Sequence, residues 1–375
     1  MKIGLLSTIE TNIGDDFIRC GIIEIIEAVW QGDQIEFMVI NKHHPESIDT
    51  KWQIRLKRFT RRRPRLRNFV LRNCHWFQWS KFDSCDLLIQ CGTPVLWTGC
   101  RFSEWAEPIW RGVLHRLSRQ GIPVLNIGGG ATYAWERMPQ SLIGDADEEF
   151  VRLMLKTCSL TTARDELAKK LFCSLGHETE VICCPAILAG QVYVEPSEPS
   201  RKVIVNYMEG GGHFDWDQGI NKMKWQETMC EVVQVLISDG WQVVLLAHDA
   251  KEYTMARQIW PYLDCERPET LQSYFEFVRD ASFGIFNRMH ASIAAAGLGI
   301  PSIAVGTDAR NLMVAETGLP IFYVKDVTTH CLLSATKRLV EKRKVEAARL
   351  LALREKTKKR YEQLLAPFVA RLKQT

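Results

Sequence analysis

Apolar residues along this chain follow two alternating rhythms. Short β-branched runs at 2–6, 35–40, 86–90, 122–127, 158–162 and 179–183 read as strands. Between them the spacing turns helical: Ile18, Ile22, Ile25, Ile26 and Val29 share one face after Asn12-Ile13-Gly14-Asp15-Asp16, and 105–117 forms a second such stretch before Gly121-Ile122-Pro123. Strand and helix in alternation predict a parallel sheet. The pattern breaks at Glu195-Pro196-Ser197-Glu198-Pro199-Ser200, which has the composition of a short linker, and then restarts. Strands are expected at 202–207, 242–247, 283–286, 301–305 and 321–324, with helices at about 222–238, 249–259, 289–298 and 308–317. A final stretch, about 328–373, reads as one or two long helices with Leu332, Leu333, Leu339, Val345, Ala348, Leu350 and Leu351 on an apolar stripe. It either caps a domain or crosses back to the first.

The two halves predict an α/β protein of two Rossmann-like domains, 1–198 and 199–375, the second carrying the terminal helices. Sheets joined this way put their strand carboxyl ends across a shared cleft, where ligands of open α/β sheets bind. Composition agrees, since 375 residues at 46% hydrophobic and 25% charged suffice for two packed domains. Twelve cysteines without a Cys-x-x-Cys give neither a zinc ligand set nor a secreted disulfide framework, so reduced thiols and no metal are expected. The first residues form a strand rather than a leader, and no 18-residue apolar run occurs, which predicts a cytoplasmic protein.

Charge changes the picture locally. Net charge is +4, yet Lys51, Arg55, Lys57, Arg58, Arg61, Arg62, Arg63, Arg65, Arg67 and Arg72 fall within 51–72 with no acid among them, so the rest of the chain is net acidic. A local field speaks against a nucleic-acid binder. It fits either a patch facing anionic lipid at the inner face of a membrane, or a lipid-linked phosphate, or an ordinary solvated loop. Trp76, Phe77, Trp79 and Phe82 follow, suited to a membrane interface, a sugar-stacking wall or core packing.

The sharpest chemical signal is Arg288-Met289-His290, where the apolar run 283–286 hands over to the small-residue helix beginning near Ala291. A guanidinium, an imidazole and unpaired backbone N–H groups in one first turn suit an anion; the alternative is a capping or core histidine with Arg288 in an ion pair. Other strand-to-helix turns add candidates. Asp15 and Asp16 would repel a phosphate but suit a sugar hydroxyl, Gly128-Gly129-Gly130 and Gly210-Gly211-Gly212 permit close backbone approach, and Arg164 either faces the cleft or pairs with Asp165 or Glu166.

Taken in order, Asn12-x-Gly14-Asp15-Asp16, the Gly128 to Gly130 turn, Arg164-Asp165 and Arg288-x-His290 followed by Gly299-Ile300-Pro301 resemble the polysaccharide pyruvyl transferases. That resemblance spans nearly the whole chain and is strongest at the amino-terminal turn and in 285–318. It implies a glycosyltransferase-B-like arrangement, phosphoenolpyruvate as donor with no other cofactor, and a saccharide or lipid-linked saccharide as acceptor. It further implies that Arg164, Arg288 and Arg310 bind the donor without metal and that His290 moves protons. Asp15 or Asp16 would then serve as base on an acceptor side in the first domain, with Asn12, Gly14, Gly129, Gly130 and Gly211 lining the substrate. Arg310 stands where relatives often have lysine, which keeps charge but not an exchangeable ammonium. Two other readings stay open: a glycosyltransferase using a nucleotide-sugar, with Glu209 or Glu316 on its ribose, and a non-catalytic glycan-binding relative.

Overall fold

In a computed structural model of the protein, the residues described are 1–9, 13–30, 34–42, 81–92, 94–103, 106–214 and 216–372. Asn12, the basic segment 51–72, Trp76, Phe77 and Trp79 lie outside them. Phe82 lies inside and is buried in the core, the third of the roles its ring could have taken.

Two wholly parallel sheets form. The first contains β1 (Lys2–Ser7), β2 (Glu36–Asn41), β3 (Leu87–Cys91), β4 (Pro94–Leu96), β5 (Val124–Ala131), β6 (Leu160–Ala163) and β7 (Glu180–Val181). Its order is β2-β1-β3-β5-β6-β7, with β4 beside β5. The second contains β8 (Lys202–Asn206), β9 (Gln242–Leu246), β10 (Cys265–Glu266), β11 (Phe283–Phe286), β12 (Ser302–Gly306) and β13 (Ile321–Tyr323), in the order β10-β9-β8-β11-β12-β13. Central strands such as β3, β5, β11 and β12 are buried along their whole length, as expected of strands covered on both faces. In each sheet the chain runs outward from its first strand on one side and returns on the other. The switch points therefore lie between β1 and β3 and between β8 and β11, where ligand crevices of such sheets open.

The covering helices are α1 (Ile13–Val29), α2 (Asp145–Thr157), α3 (Glu166–Ser174), α4 (Lys222–Ser238), α5 (Ala250–Ile259), α6 (Leu271–Val278), α7 (Met289–Gly297), α8 (Thr329–Glu341) and α9 (Arg343–Leu372). The pattern missed α6 and the short strands β4 and β10, which are too brief to establish a period. The helix expected at 308–317 is a 3-10 turn, Ala309–Asn311, running into the short helix Leu312–Ala315. The apolar stripe drawn along the carboxyl-terminal stretch is broken too. Lys342 separates α8 from α9, the two helices bury different faces, and Val345 and Ala348 are exposed. Helix α9 crosses back to the first sheet's side: Tyr361 Oη donates to the Cys183 carbonyl (3.3 Å), and Lys358 pairs with Glu24 on α1 (2.7 Å). Among the described residues no helix is long and apolar enough to cross a membrane.

The joint between the halves is a short turn, Pro185–Leu188, clasped between α1 and α7. Helix α1 buries Phe17, Ile18, Ile22, Ile25 and Ile26, and its Gly21 faces the Pro185 carbonyl oxygen; on the other side Gly297 of α7 faces the Ile187 carbonyl oxygen. A Cβ at either glycine would overlap backbone, which no rotamer change relieves. Helix propensity alone would favour alanine by about 0.8–1.0 kcal/mol, whereas overpacking costs typically about 1–3 kcal/mol and here meets unyielding atoms. Gly21→Ala and Gly297→Ala are each expected to lower unfolding free energy by about 1–2 kcal/mol in urea titrations. Equal or greater stability in both variants would mean that the helices do not bear on the turn.

Candidate active site

Clasping one turn brings the amino-terminal ends of α1 and α7 together, and these ends follow β1 and β11, the strands beside the two switch points. Gly14 in the first turn of α1 faces His290 in the first turn of α7, and a Cβ on Gly14 would come within 2.7 Å of the imidazole Nδ1. His290 Nε2 lies 3.2 Å from Nη1 of Arg164, the residue after β6. Arginine has no acceptor, so Nε2 accepts and the proton of the neutral ring sits on Nδ1. Burial, then the charges of Arg164 and Arg310, then His248 and Arg288, push the His290 pKa well down.

Arg164 is 0% exposed. Its Nη1 also donates to the Gly92 carbonyl (2.5 Å), while Nε and Nη2 have no hydrogen-bond partner among the described residues. The guanidinium lies flat against Gly130, where a Cβ would displace it. Neighbouring Asp165 does not offset it by hydrogen bonding, because that carboxylate caps α3 through Ala168 N (2.7 Å) and accepts from Ala131 N (3.3 Å). Burial raises Asp165 to about 6. A buried cation without a hydrogen-bonded counter-ion is costly.

Arg288 and Arg310 are held differently. Arg288 caps α7, and its Nε donates to Glu252 Oε1 (2.6 Å) and its Nη2 to Asp249 Oδ2 (2.6 Å). Glu252 Oε2 in turn accepts from Asn206 Nδ2 and from the His248 backbone, both at 2.9 Å, and Asn206 Oδ1 accepts from the Arg288 backbone (2.9 Å). Arg288 is thus in an ion pair, as one reading of the sequence allowed, but with carboxylates from α5 rather than with His290. Arg310 donates from Nε and Nη2 to the two oxygens of buried Asp308 (2.8 and 2.6 Å) and lies 5.3 Å over the Phe214 ring. Burial works against its charge, but Asp308 and then Asp15 outweigh that and raise its pKa.

The expected residues therefore divide. Gly14, Gly130, Arg164 and His290 form one contact cluster, with Arg288 and Arg310 acting on it electrostatically and Asp15 acting on Arg310. Asp16 instead binds Arg19 (2.6 Å) on its own helix, so its carboxylate is already committed to a cation. Gly129 backs the Asn126 amide, and Gly211, at φ +76°, sits under Val324 as a turn residue rather than beside His290. Sequence reasoning missed Asn206, Asp249, Glu252 and Asn287. One signal was available: Asp249-x-x-Glu252 after a strand has the spacing of a helix cap, and Asp249 Oδ1 does accept from Glu252 N (2.8 Å). Asn287 locks the turn by accepting from Met208 N and donating to the Val305 carbonyl, both at 2.8 Å. A second bridge closes the cleft elsewhere. Trp135 N donates to Thr307 O (3.1 Å), Ala309 N donates to Tyr133 O (2.9 Å), and the Trp135 ring stacks on Tyr323.

The family described as polysaccharide pyruvyl transferase matches residues 12–309. A search of curated proteins finds no match. Among solved structures, UDP-GlcNAc 2-epimerase from Neisseria meningitidis, bound to UDP-GlcNAc, is similar with a TM-score of 0.55, at 13% identity over 97% of this chain and 100% of that one. S. aureus MnaA with UDP gives 0.54, at 14% identity over 94% and 91%. At such identity the likeness is one of fold: two Rossmann-like halves in a glycosyltransferase-B-like arrangement.

The neutral state of His290 has a measurable sign. The unfolded chain takes a proton near the ordinary value of 6.5 while the folded protein resists it, so the stability His290 contributes is complete above that pH and is lost as pH falls below it. Glutamine does not titrate. The stability gap between wild type and His290→Gln is expected to shift against wild type by up to about 1.4 kcal/mol per pH unit below about 6.5. A gap constant from pH 7.5 to 5 would show that the ring protonates freely in the fold.

Proposed function

The chain belongs to the polysaccharide pyruvyl transferase family, and from that premise we propose that it moves the enolpyruvyl group of phosphoenolpyruvate onto a saccharide as a pyruvate ketal. The observation that carries the donor is Arg164: a fully buried guanidinium, two of its nitrogens without partners among the described residues, in contact with a neutral imidazole across the joint of the two halves. A carboxylate or phosphate oxygen supplies the counter-charge it lacks. Arg288 and Arg310, each held rigid by acids, add directed positive potential without having to be ordered on binding.

The reaction requires bookkeeping of two hydroxyl protons. One sugar hydroxyl adds to C2 of the enol as C3 takes up a proton; a second hydroxyl then attacks C2, the C2–O bond to phosphate breaks, and the remaining proton leaves with phosphate. A group that both accepts and returns protons is needed at C2 and C3. His290 enters neutral, with its Nε2 lone pair pointed at Arg164; once an anion engages Arg164, that lone pair is released and the added negative charge raises the proton affinity of the ring. With Asp16 bound to Arg19, Asp15 is the carboxylate assigned to the first-half side of the cleft.

Arg164 gives the reading its test. If it is there for a ligand, Arg164→Met removes a buried charge that no carboxylate among the described residues hydrogen-bonds, and the free protein should melt at the same or a higher temperature than wild type. The same change should weaken phosphoenolpyruvate binding by about 2–5 kcal/mol and abolish the thermal shift the donor gives wild type. His290→Gln should keep the shift and lose roughly 10²–10⁴-fold in turnover, read as pyruvylated product by mass spectrometry. A wild type that is stabilised by nucleotide-sugars and indifferent to phosphoenolpyruvate would defeat the assignment.

A further inference from the structure

Next to Asp249 and Glu252, the acids that hold Arg288, a small depression of about 130 Å³ opens between the turn that follows β8 and the first turns of α5. That is smaller than a whole small-ligand cleft, about 300–1,000 Å³, so what it seats is no more than one small ring. Tyr207 and Met255 supply apolar surface, and His213, Asp249, Lys251 and Glu252 supply polar groups. Two features tie it to the cluster already described. Asp249 and Glu252 form one wall and at the same time hold Arg288. His213 forms another and lies within the fields of Arg288 and Arg310 together, next in sequence to the Phe214 ring under Arg310.

Its charge selects among occupants. The Arg288 guanidinium is matched by Asp249 and Glu252, and Glu209 on the rim, 3.5 Å from Lys222, adds another carboxylate. A second anion would face acids here, whereas a ring bearing hydroxyls can donate to carboxylate oxygens, accept from lysine and rest an apolar face on the Met255 thioether. Partial burial, then Arg288 and Arg310, hold the His213 pKa down, which favours the neutral ring that can accept a hydrogen bond from a hydroxyl.

We propose that this pocket is the acceptor subsite, that it takes an uncharged hexopyranose ring, and that His213 binds a hydroxyl at the edge nearest Arg310. The inference rests on the pyruvyl-transfer reading and places the acceptor in the second half of the chain, not with Asp15 and Asp16 in the first.

The test uses the whole protein and three probes: methyl hexopyranosides of galactose, glucose and mannose, UDP, and phosphoenolpyruvate. Saturation-transfer NMR is expected to detect at least one glycoside on wild type. Met255→Trp, which fills the pocket from its half-buried edge, should abolish that signal, and His213→Ala, a change at an exposed side chain that threatens no core, should reduce it severalfold. The melting-temperature rise given by phosphoenolpyruvate should persist in both variants. A glycoside signal unchanged in both variants overturns the proposal. So does a UDP signal lost in Met255→Trp, or the absence of any glycoside signal in protein that phosphoenolpyruvate stabilises. If phosphoenolpyruvate has no effect on wild type while the glycoside signal still depends on Met255 and His213, the donor reading fails and takes the acceptor role with it, and only hexopyranose binding at the pocket stands.

Discussion

Everything at the cleft depends on how closely α1 and α7 approach the 185–188 turn. Gly21 and Gly297 let the backbone carbonyls of that turn sit directly against both helices, and with that approach fixed, the helices' amino-terminal ends must meet at Gly14 and His290. The apolar core around them is continuous across the joint, with Phe17 from α1 packed on Tyr274 and Phe275 from α6. The site is thus a consequence of two helix axes converging. Neither half holds it alone, since Arg164 and Gly14 come from one sheet and His290, Arg288 and Arg310 from the other.

The three arginines whose charges reach His290 fall under two electrostatic regimes. Arg288 and Arg310 have carboxylates at hydrogen-bonding distance, so their positions are fixed and their charges are largely offset. Arg164 has a carbonyl, an imidazole and two nitrogens unpartnered among the described residues. In a low-dielectric setting an uncompensated charge is worth more to a ligand than a compensated one, because the protein has already borne the desolvation that binding would otherwise require. Burial and the cations around it also leave His290 neutral.

Much of this was legible in the chain. The alternation of strand and helix, the restart after residue 200 and the Arg288-x-His290 turn all come from side-chain periodicity and local turn chemistry, which sequence carries directly. Phe283 to Phe286 followed by a run of alanines could hardly be anything but a buried strand feeding a tightly packed helix, and so the first turn of that helix was readable. What was not legible is long-range: that Glu252, 36 residues before Arg288, would take its guanidinium, or that Asp16 would turn back to Arg19 while Asp15 faced the other half. Such pairings depend on where two elements cross, and nothing in a single sequence fixes the crossing. Gly21 carried an unused signal, because a glycine in a helix interior costs stability unless a close neighbour requires it.

The division of the cluster between two sheets bears on how chemistry and closure are related. Nε2 of His290 is held by a group from the opposite half, so any separation of the halves breaks that contact and exposes both Arg164 and the imidazole to water. Water would raise the effective dielectric around the guanidinium, weaken its pull on an anion, and let His290 regain an ordinary proton affinity. On the proposed reading the anion does the reverse: by bridging Arg164 to the first turn of α7 it adds an attraction across the joint that grows as the joint tightens. Donor binding and the packing of α1 against α7 then reinforce one another, and the proton-transfer state of His290 becomes a property of the closed, donor-bound arrangement rather than of either half.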